Sequence, residues 1–448
     1  MTPNPLITSS VEKLNYCVTV GDVAAETGLK LAEAQKGLVA LAADAGGHLQ
    51  VSETGDIAYL FPENFRTILR NKYLRLRFKE WWDKISGVLF YLLRISFGII
   101  LIASIILILI TISVIIFGAK AGSDEGDSDG DMGGGFSFGF FPFWWGPDLF
   151  WFFSPGYYDY DEEELATRRE SKRDRRQKSE LNFLEAIFSF LFGDGNPNAK
   201  LEERRWQEIG AVIRNNGGAI IAEQIAPYLD NIDDKSWEDE DYMLPVLTRF
   251  NGLPEVTQEG NIIYYFPELQ VSARETSKQS VESYLKEKEW RFTKATSVQK
   301  MIAIGLGGVN LILALMLGAL LSEEVVAQLG GLVAFVNGIY GIIIAYAIGY
   351  VTIPLIRYFW IQQKNQRINS RNEQRFQRAQ IIASSEALGS VFDRRALENK
   401  RQAAQAFASQ TILSQEDIAY STEQDLIDQE AQQKDKIDED WERRLSSS

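Results

Sequence analysis

Apolar residues are gathered into a few long blocks separated by stretches dense in charge, and this segregation governs the reading of the whole chain. Residues 95–117 form an uncharged run of Ile, Leu, Val, Phe and small residues. At about 1.5 Å of rise per residue, a helix of that length crosses the ~30 Å hydrocarbon layer of a bilayer. Residues 301–321 and 329–356 are two further runs of this kind, and the short connection 322–328 between them predicts a tight antiparallel hairpin. A fourth block, 136–153 (FSFGFFPFWWGPDLFWFF), holds a single charge, Asp148, but Pro142, Gly146 and Pro147 interrupt it. It reads either as a broken return crossing shielded by other spans or as an aromatic belt at the interface.

Shorter alternations mark two soluble regions. Residues 51–63 read VSETGDIAYLFPE and residues 256–268 read VTQEGNIIYYFPE, and their ungapped match points to an internal duplication. In each copy a Gly-Asp or Gly-Asn pair suits a hairpin turn, alternating apolar residues suit its strands, and a proline ends the second strand. Gly55, Tyr59, Phe61 and Pro62 are thus matched by Gly260, Tyr264, Phe266 and Pro267. Before the first copy, residues 19–28 and 30–45 predict two short helices. Before the second, helices are predicted over 203–215, 218–229 and 243–251. Helix, turn, helix and β-wing together predict two winged-helix-like α+β domains, at 1–65 and 200–275.

The expected fold is therefore an α-rich membrane protein with two winged-helix-like α+β domains, three to four transmembrane segments and charged C-terminal helices. Its parts are the first domain (1–65), a basic interfacial helix (66–94), a span (95–117), and an acidic Gly-rich loop with the aromatic return segment (118–160). The second domain (200–275), a basic helix (280–300), the hairpin (301–356) and a charged helical tail (357–448) follow.

Charge sets the orientation. Residues 1–10 lack the charged start, apolar core and cleavage site of a signal peptide, so the first domain is expected to remain cytoplasmic. Arg70, Lys72, Arg75 and Arg77, interleaved with Trp81 and Trp82, precede the first span as the positive-inside rule expects of a cytoplasmic flank. They read as an interfacial helix on an anionic leaflet or as an ordinary snorkelling flank. Basic residues also flank the hairpin on both outer ends, which places 1–90, 160–300 and 357–448 on one side and requires 136–153 to bring the chain back. Beyond the hairpin, Lys364, Arg367, Arg371, Arg375 and Arg378 recur at intervals of three and four, a positive helical stripe expected to lie on the membrane surface. Past residue 401 the balance turns acidic, which suits a solvated or partner-binding tail. Within the spans, Gly341, Ala345 and Gly349 predict a close helix-packing ridge, and Asn310 and Asn337 are expected to pair across the hairpin.

Composition narrows the chemistry. The 448 residues carry a formal net charge of −15, and residues 1–65 alone hold eight acids against three bases. A phosphate backbone is repelled by such a field, so nucleic acid is an unlikely partner and proteins and membrane lipids are the expected ones; a homo-oligomer is left open. One cysteine, Cys17, and one histidine, His48, leave no intrachain disulfide, cysteine cluster or histidine-built zinc site. No phosphate-binding loop, nucleophile elbow or HExxH motif is present, so no catalytic residue, cofactor or metal site is assigned and the chain is not expected to be an enzyme.

The order of winged-helix-like domain, span, aromatic Gly-rich segment, second domain, hairpin and charged tail, with wings at Gly55 to Pro62 and Gly260 to Pro267, resembles an uncharacterised membrane protein family of cyanobacteria and plastids. Its plant members are often labelled "iron-sulfur cluster biosynthesis family protein" and are associated with the chloroplast envelope. A chain whose one thiol is Cys17 cannot supply the thiolates that hold a cluster, so that label is not carried over. The expected function is a membrane-anchored scaffold or assembly factor presenting its acidic modules to protein partners at the cytoplasmic face of an inner (plasma) or thylakoid membrane. The alternatives are a membrane-tethered DNA-binding regulator and a transporter subunit.

Overall fold

The computed structural model describes residues 3–72, 74–121, 182–230, 232–275, 278–383, 394–413, 418–424 and scattered positions up to 445. The Gly-rich loop and the aromatic segment 136–153 lie outside the described residues. The described chain divides into two compact units: unit 1 holds Met1–Trp81, Pro197–Glu289 and Arg367–Ser448, and unit 2 holds Trp82–Asn196 and Trp290–Gln366.

In chain order the elements begin with α1 (Pro5–Lys13), β1 (Cys17–Thr19), α2 (Val20–Thr27), α3 (Leu31–Ala45), β2 (His48–Ser52), β3 (Ile57–Leu60), α4 (Phe65–Lys72) and α5 (Leu74–Ala121). They continue with α6 (Phe183–Phe192), α7 (Leu201–Asn215), β4 (Ala219–Ile220), α8 (Asp234–Asp239), α9 (Leu244–Phe250), β5 (Leu253–Val256), β6 (Ile262–Tyr265), α10 (Pro267–Gln270) and β7 (Val271–Ser272). The last are α11 (Ser297–Leu320), α12 (Glu323–Leu329), α13 (Gly331–Ala383), α14 (Arg394–Phe407), β8 (Thr411–Ile412) and β9 (Ile418–Ser421).

In unit 1 the two predicted modules have the same order of parts and the same central pairing. The first three strands run in the order β1-β3-β2, and the second set in the order β4-β6-β5. The wing turns share their hydrogen bonds: Ser52 N donates to Asp56 O at 2.9 Å, and Thr257 N donates to Asn261 O at 2.9 Å. Their side chains agree as well, with Asp56 N on Ser52 Oγ at 3.0 Å and Asn261 N on Thr257 Oγ1 at 3.1 Å. Gly55 and Gly260 sit at φ 89° and 82°, the conformation a hairpin turn asks of glycine. Tyr59, Phe61, Tyr264 and Phe266 are buried in one continuous core that includes residues of both modules. Pro62 and Pro267 stand just past the strand ends, and Pro267 opens α10 at its first helical position, where a missing N–H costs nothing.

Two of the expected elements differ. The segment 218–229, expected as a helix, is β4 followed by two short 3-10 turns, Ala222–Gln224 and Ala226–Tyr228. Gly217 and Gly218 in the left-handed region and Pro227 break a longer helix there. The C-terminal tail, expected to be charged helix throughout, contributes two strands, described below.

The modules meet where α2 packs on α7. A Cβ at Gly21 would strike the Glu268 carbonyl, and one at Gly210 would press on the Ala25 backbone, so glycine at both sites lets the chains approach closely.

Unit 2 contains three helices long and apolar enough to cross a membrane, over Lys84–Gly118, Ser297–Leu320 and Gly331–Gln380, the last continuing beyond the unit. A short apolar helix, α6, packs beside them; its ten residues, FLEAIFSFLF, are too few to cross a bilayer. The hairpin connection is not a bare turn: it holds α12, capped by Ser322, whose Oγ accepts from Val325 N at 3.3 Å. Ile108, Ile112 and Ile115 of α5 pack with Leu313, Ala314 and Leu317 of α11 and with Val333, Val336, Ile343 and Ala347 of α13. Tyrosine rings lie over glycines here: Tyr350 covers Gly307 and Tyr340 covers Gly318. Tyr350 Oη also donates to the Ala303 carbonyl at 3.1 Å.

Candidate interaction surfaces

The structure separates the predicted basic stripe into two environments. In unit 2, Lys364 Nζ lies 4.4 Å from the Trp290 ring and 4.5 Å from the Trp360 ring, and the two indoles meet edge to face at 5.3 Å. Asn365 holds that corner by accepting from Trp290 N at 2.8 Å and donating to Trp290 O at 2.9 Å. In unit 1, Arg367 is exposed. Arg371, Arg375 and Arg378, expected on a membrane surface, turn instead into the protein. Arg375 is 1% exposed and bonds Asp230 Oδ1 (2.6 Å), Glu287 Oε1 (2.9 Å) and the Leu285 carbonyl (2.8 Å). Arg371 grips Glu287 bidentately at 2.7 and 2.7 Å, and Arg378 donates to the carbonyls of Leu229 and Ile232. Periodicity marks a positive face on a helix; acids far away in sequence decide what that face meets. Burial raises the Glu287 carboxyl, but bonds from Arg371 and the charge of Arg375 outweigh it and hold the pKa below its ordinary value.

A second node joins the modules. Asp22, 2% exposed, closes a capping box on α2 by accepting from Thr19 N at 2.9 Å. The same carboxylate takes Arg214 at 2.6 Å, Ser272 Oγ at 2.9 Å and Ala273 N at 3.0 Å from the second module. In the middle of α7, Glu208 lies 3.5 Å from Arg204, and burial pushes its carboxyl from 4.5 up to about 7, with the Glu282 charge adding to the rise.

The tail straps unit 1. Strand β9 pairs antiparallel with β2, Gln50 against Ser421 and Val51 against Tyr420, which extends the first sheet to the order β1-β3-β2-β9. Thr422 N donates to Leu49 O at 2.9 Å, and Thr422 Oγ1 accepts from Leu49 N at 2.9 Å. Strand β8 pairs parallel with β7, and α14 packs on β4 and β6, with Lys400 bridging Glu223 (2.9 Å) and Glu240 (3.0 Å). Two-residue strands and a four-residue one leave too short a trace of alternation to be read from sequence.

Of the other predicted positions, Lys72 pairs with Asp44 at 2.7 Å, and Arg70, Trp81 and Trp82 are exposed. The side chains of Arg75 and Arg77 lie outside the described residues. The expected Asn310–Asn337 pair does not form. Asn310 is fully buried and its Oδ1 accepts from Ser104 Oγ of α5 at 3.0 Å, whereas Asn337 is exposed. Gly341 and Ala345 also face outward, so the close packing falls on Gly307, Ala314, Gly318 and Ala347 and not on the predicted ridge that ended at Gly349. A node that the sequence reading missed holds α6: Asp194 takes Arg94 at 3.1 Å, Ser189 Oγ at 2.7 Å and Lys294 N at 2.8 Å, while Arg357 donates to the Phe190 carbonyl at 2.8 Å. Among the described residues no group of three or more His, Cys, Asp or Glu side chains is arranged to hold a metal ion. Cys17 is half-buried, and burial pushes its thiol above the usual range.

These features define a mostly helical chain with three helices long and apolar enough to cross a membrane and some small sheets. The chain is 39% identical over 451 residues to the Arabidopsis thaliana protein named "Uncharacterized protein At5g03900, chloroplastic", a match covering 97% of this chain and 81% of the relative. It belongs to that protein's family. No protein-family model matches it, and no solved structure does.

Proposed function

We propose that this protein is a membrane-anchored scaffold or assembly factor whose unit 2 helices cross the bilayer and whose unit 1 presents two acidic winged-helix-like modules to protein partners on the cytoplasmic side of an inner or thylakoid membrane. The carrying observation is the construction of unit 1. Two modules with the same strand order and the same wing hydrogen bonds share one core, and Arg375, on the helix that also carries the third apolar run, pairs with Asp230 of the second module and with Glu287. A rigid paired platform suits protein contact, and its acidic balance disfavours a phosphate backbone. The relative's name places that plant protein in the chloroplast, which supports a plastid or related membrane as the site of action.

The test is cross-linked affinity purification of the intact protein from its own membrane, together with duplex DNA titration of the full chain in detergent. A discrete set of co-purified proteins and no salt-sensitive DNA binding are expected. Sub-micromolar, salt-dependent affinity for DNA would replace the scaffold reading with a tethered regulator. Orientation is tested by impermeant-maleimide labelling of single cysteines on a Cys17→Ser background. Positions 128 and 325 should react from outside, and positions 40, 230 and 420 only after lysis.

A further inference from the structure

Where the tail helix α14 crosses the second module, it closes one side of a cavity of about 400 Å³ in unit 1. Asn215, Asn216, Ala219 and Gln224 line it from the module, Lys278 from the loop after β7, and Glu398, Arg401, Ala404 and Gln405 from α14. Its lining is mostly polar, unlike the apolar pockets that hold drug-like ligands.

The module's wall is preorganised. Asn215 is pinned to the backbone of Gln279 through both ends of its amide, at 2.8 and 3.0 Å. Asn216 donates to Val212 O at 2.7 Å and accepts from Gln224 Nε2 at 3.2 Å, and Gln224 Oε1 accepts from Ile221 N at 3.0 Å. These hydrogen bonds are all made within the protein, so holding the amides requires no ligand. Opposite them, the Arg401 Nε–H is buried with no acceptor among the described residues. Such an orphaned donor on a guanidinium asks for an anionic oxygen, which its fork would take bidentately. Lys278 adds a second positive charge, and Glu398 a single negative one.

We propose that this cavity is a binding site for a small carboxylate that also carries hydroxyl or amino groups, such as a sugar acid or an amino acid. The carboxylate sits on Arg401 and Lys278, and its hydroxyl or ammonium groups face Glu398 and Gln405. The charge balance selects a monoanion or a zwitterion over a phosphate dianion. Two cations against one carboxylate leave a surplus of one positive charge, which a monoanion neutralises and a dianion overshoots beside Glu398. Because the wall on one side is α14, occupancy ties the tail strap to the second module, and the apparent stability of that strap rises with ligand concentration.

The test is calorimetric titration of the full chain in detergent with glycerate, gluconate, L-serine and L-glutamine, with acetate and inorganic phosphate as controls. At least one of the four probes is expected to bind saturably and at least tenfold tighter than acetate and phosphate. Lys278→Gln, on an exposed side chain, and Arg401→Gln should each weaken that binding at least tenfold, while Glu398→Gln narrows the preference over acetate. Hydrogen exchange across 394–407 should slow when the ligand is present. Absence of saturable binding by all four probes, tighter binding of phosphate, or unchanged affinity in both Lys278→Gln and Arg401→Gln overturns the assignment.

Discussion

The two modules of unit 1 share a wing, yet their sheet edges are finished in different ways. In the first, the outer face of β2 is taken by β9 of the tail, and Leu49 both donates to and accepts from Thr422. In the second, the corresponding strand β5 carries Pro254 at the position equivalent to Leu49, and Leu253 and Val256 are 46% and 65% exposed. Proline has no N–H to offer a further strand, so the second edge is blunted chemically while the first is covered by chain. The turns after β1 and β4 diverge in the same way, since Thr19 and Asp22 cap each other reciprocally while Ile221 has no side-chain oxygen to return the bond. The Asp22 carboxylate receives Thr19 N and also Arg214, whereas Gln224 receives the equivalent Ile221 N at 3.0 Å with a neutral amide. One local motif, placed twice, has become a joint between modules in one copy and a simple turn in the other.

That contrast can be broken first at the arginine node. Arg375→Ala removes the buried guanidinium that joins Asp230 and Glu287 and leaves Asp230 to Arg205 and Glu287 to Arg371, so the loss should fall in the lower part of the range for a broken buried pair, about 3–4 kcal/mol. Urea unfolding of the detergent-solubilised chain should show that loss, and Arg367→Ala, on an exposed side chain, should leave the midpoint nearly unchanged. Equal effects of the two would mean that the stripe acts as a surface after all.

These two turns give the next largest difference. Asp22→Ala removes a cap and unpairs Arg214, and about 3 kcal/mol is expected; Gln224→Ala removes a cap alone, for about 1 kcal/mol. A double replacement of Asp22 and Arg214 should cost less than the sum of the single ones.

Glu208 sharpens the comparison through pH. Its carboxyl is raised from 4.5 to about 7 in the folded protein, so the folded state holds its proton more tightly than the unfolded chain does. The stability this provides is whole below pH 4.5 and is lost as pH climbs through the interval up to 7; the shift corresponds to about 3 kcal/mol, and solvent screening of this half-buried group reduces it to on the order of 2 kcal/mol. Glu208→Gln should flatten that part of the stability profile. A profile with the same slope in the variant would trace the pH dependence to another group.

The smallest effects lie at the edges. Truncation after residue 410 removes β9 from β2 and β8 from β7, so it should speed amide exchange at Leu49 and Val51 and leave Val256 unaffected, because β5 pairs with no strand of the tail. Pro254→Thr should cost less than about 1 kcal/mol and should increase self-association of the truncated chain, because it restores a donor to a free edge. Unchanged exchange at Leu49 after truncation would remove the strap.

What could be read from residue order was whatever short-range physics dictates. The apolar runs at 95–117, 301–321 and 329–356 match helices long enough to cross a membrane because length and hydropathy are properties of a contiguous segment. The two wings follow from a glycine turn, alternating strands and a following proline, all within thirteen residues of each other. Tertiary structure alone decided the partners. Arg375 meets Asp230 across 145 positions of sequence, Asn310 meets Ser104 across 206, and Leu49 meets Thr422 across 373. A helical period shows that Arg371, Arg375 and Arg378 share a face. It cannot tell a lipid headgroup from a buried carboxylate, since both satisfy a guanidinium and only the packing of distant segments determines which is within reach.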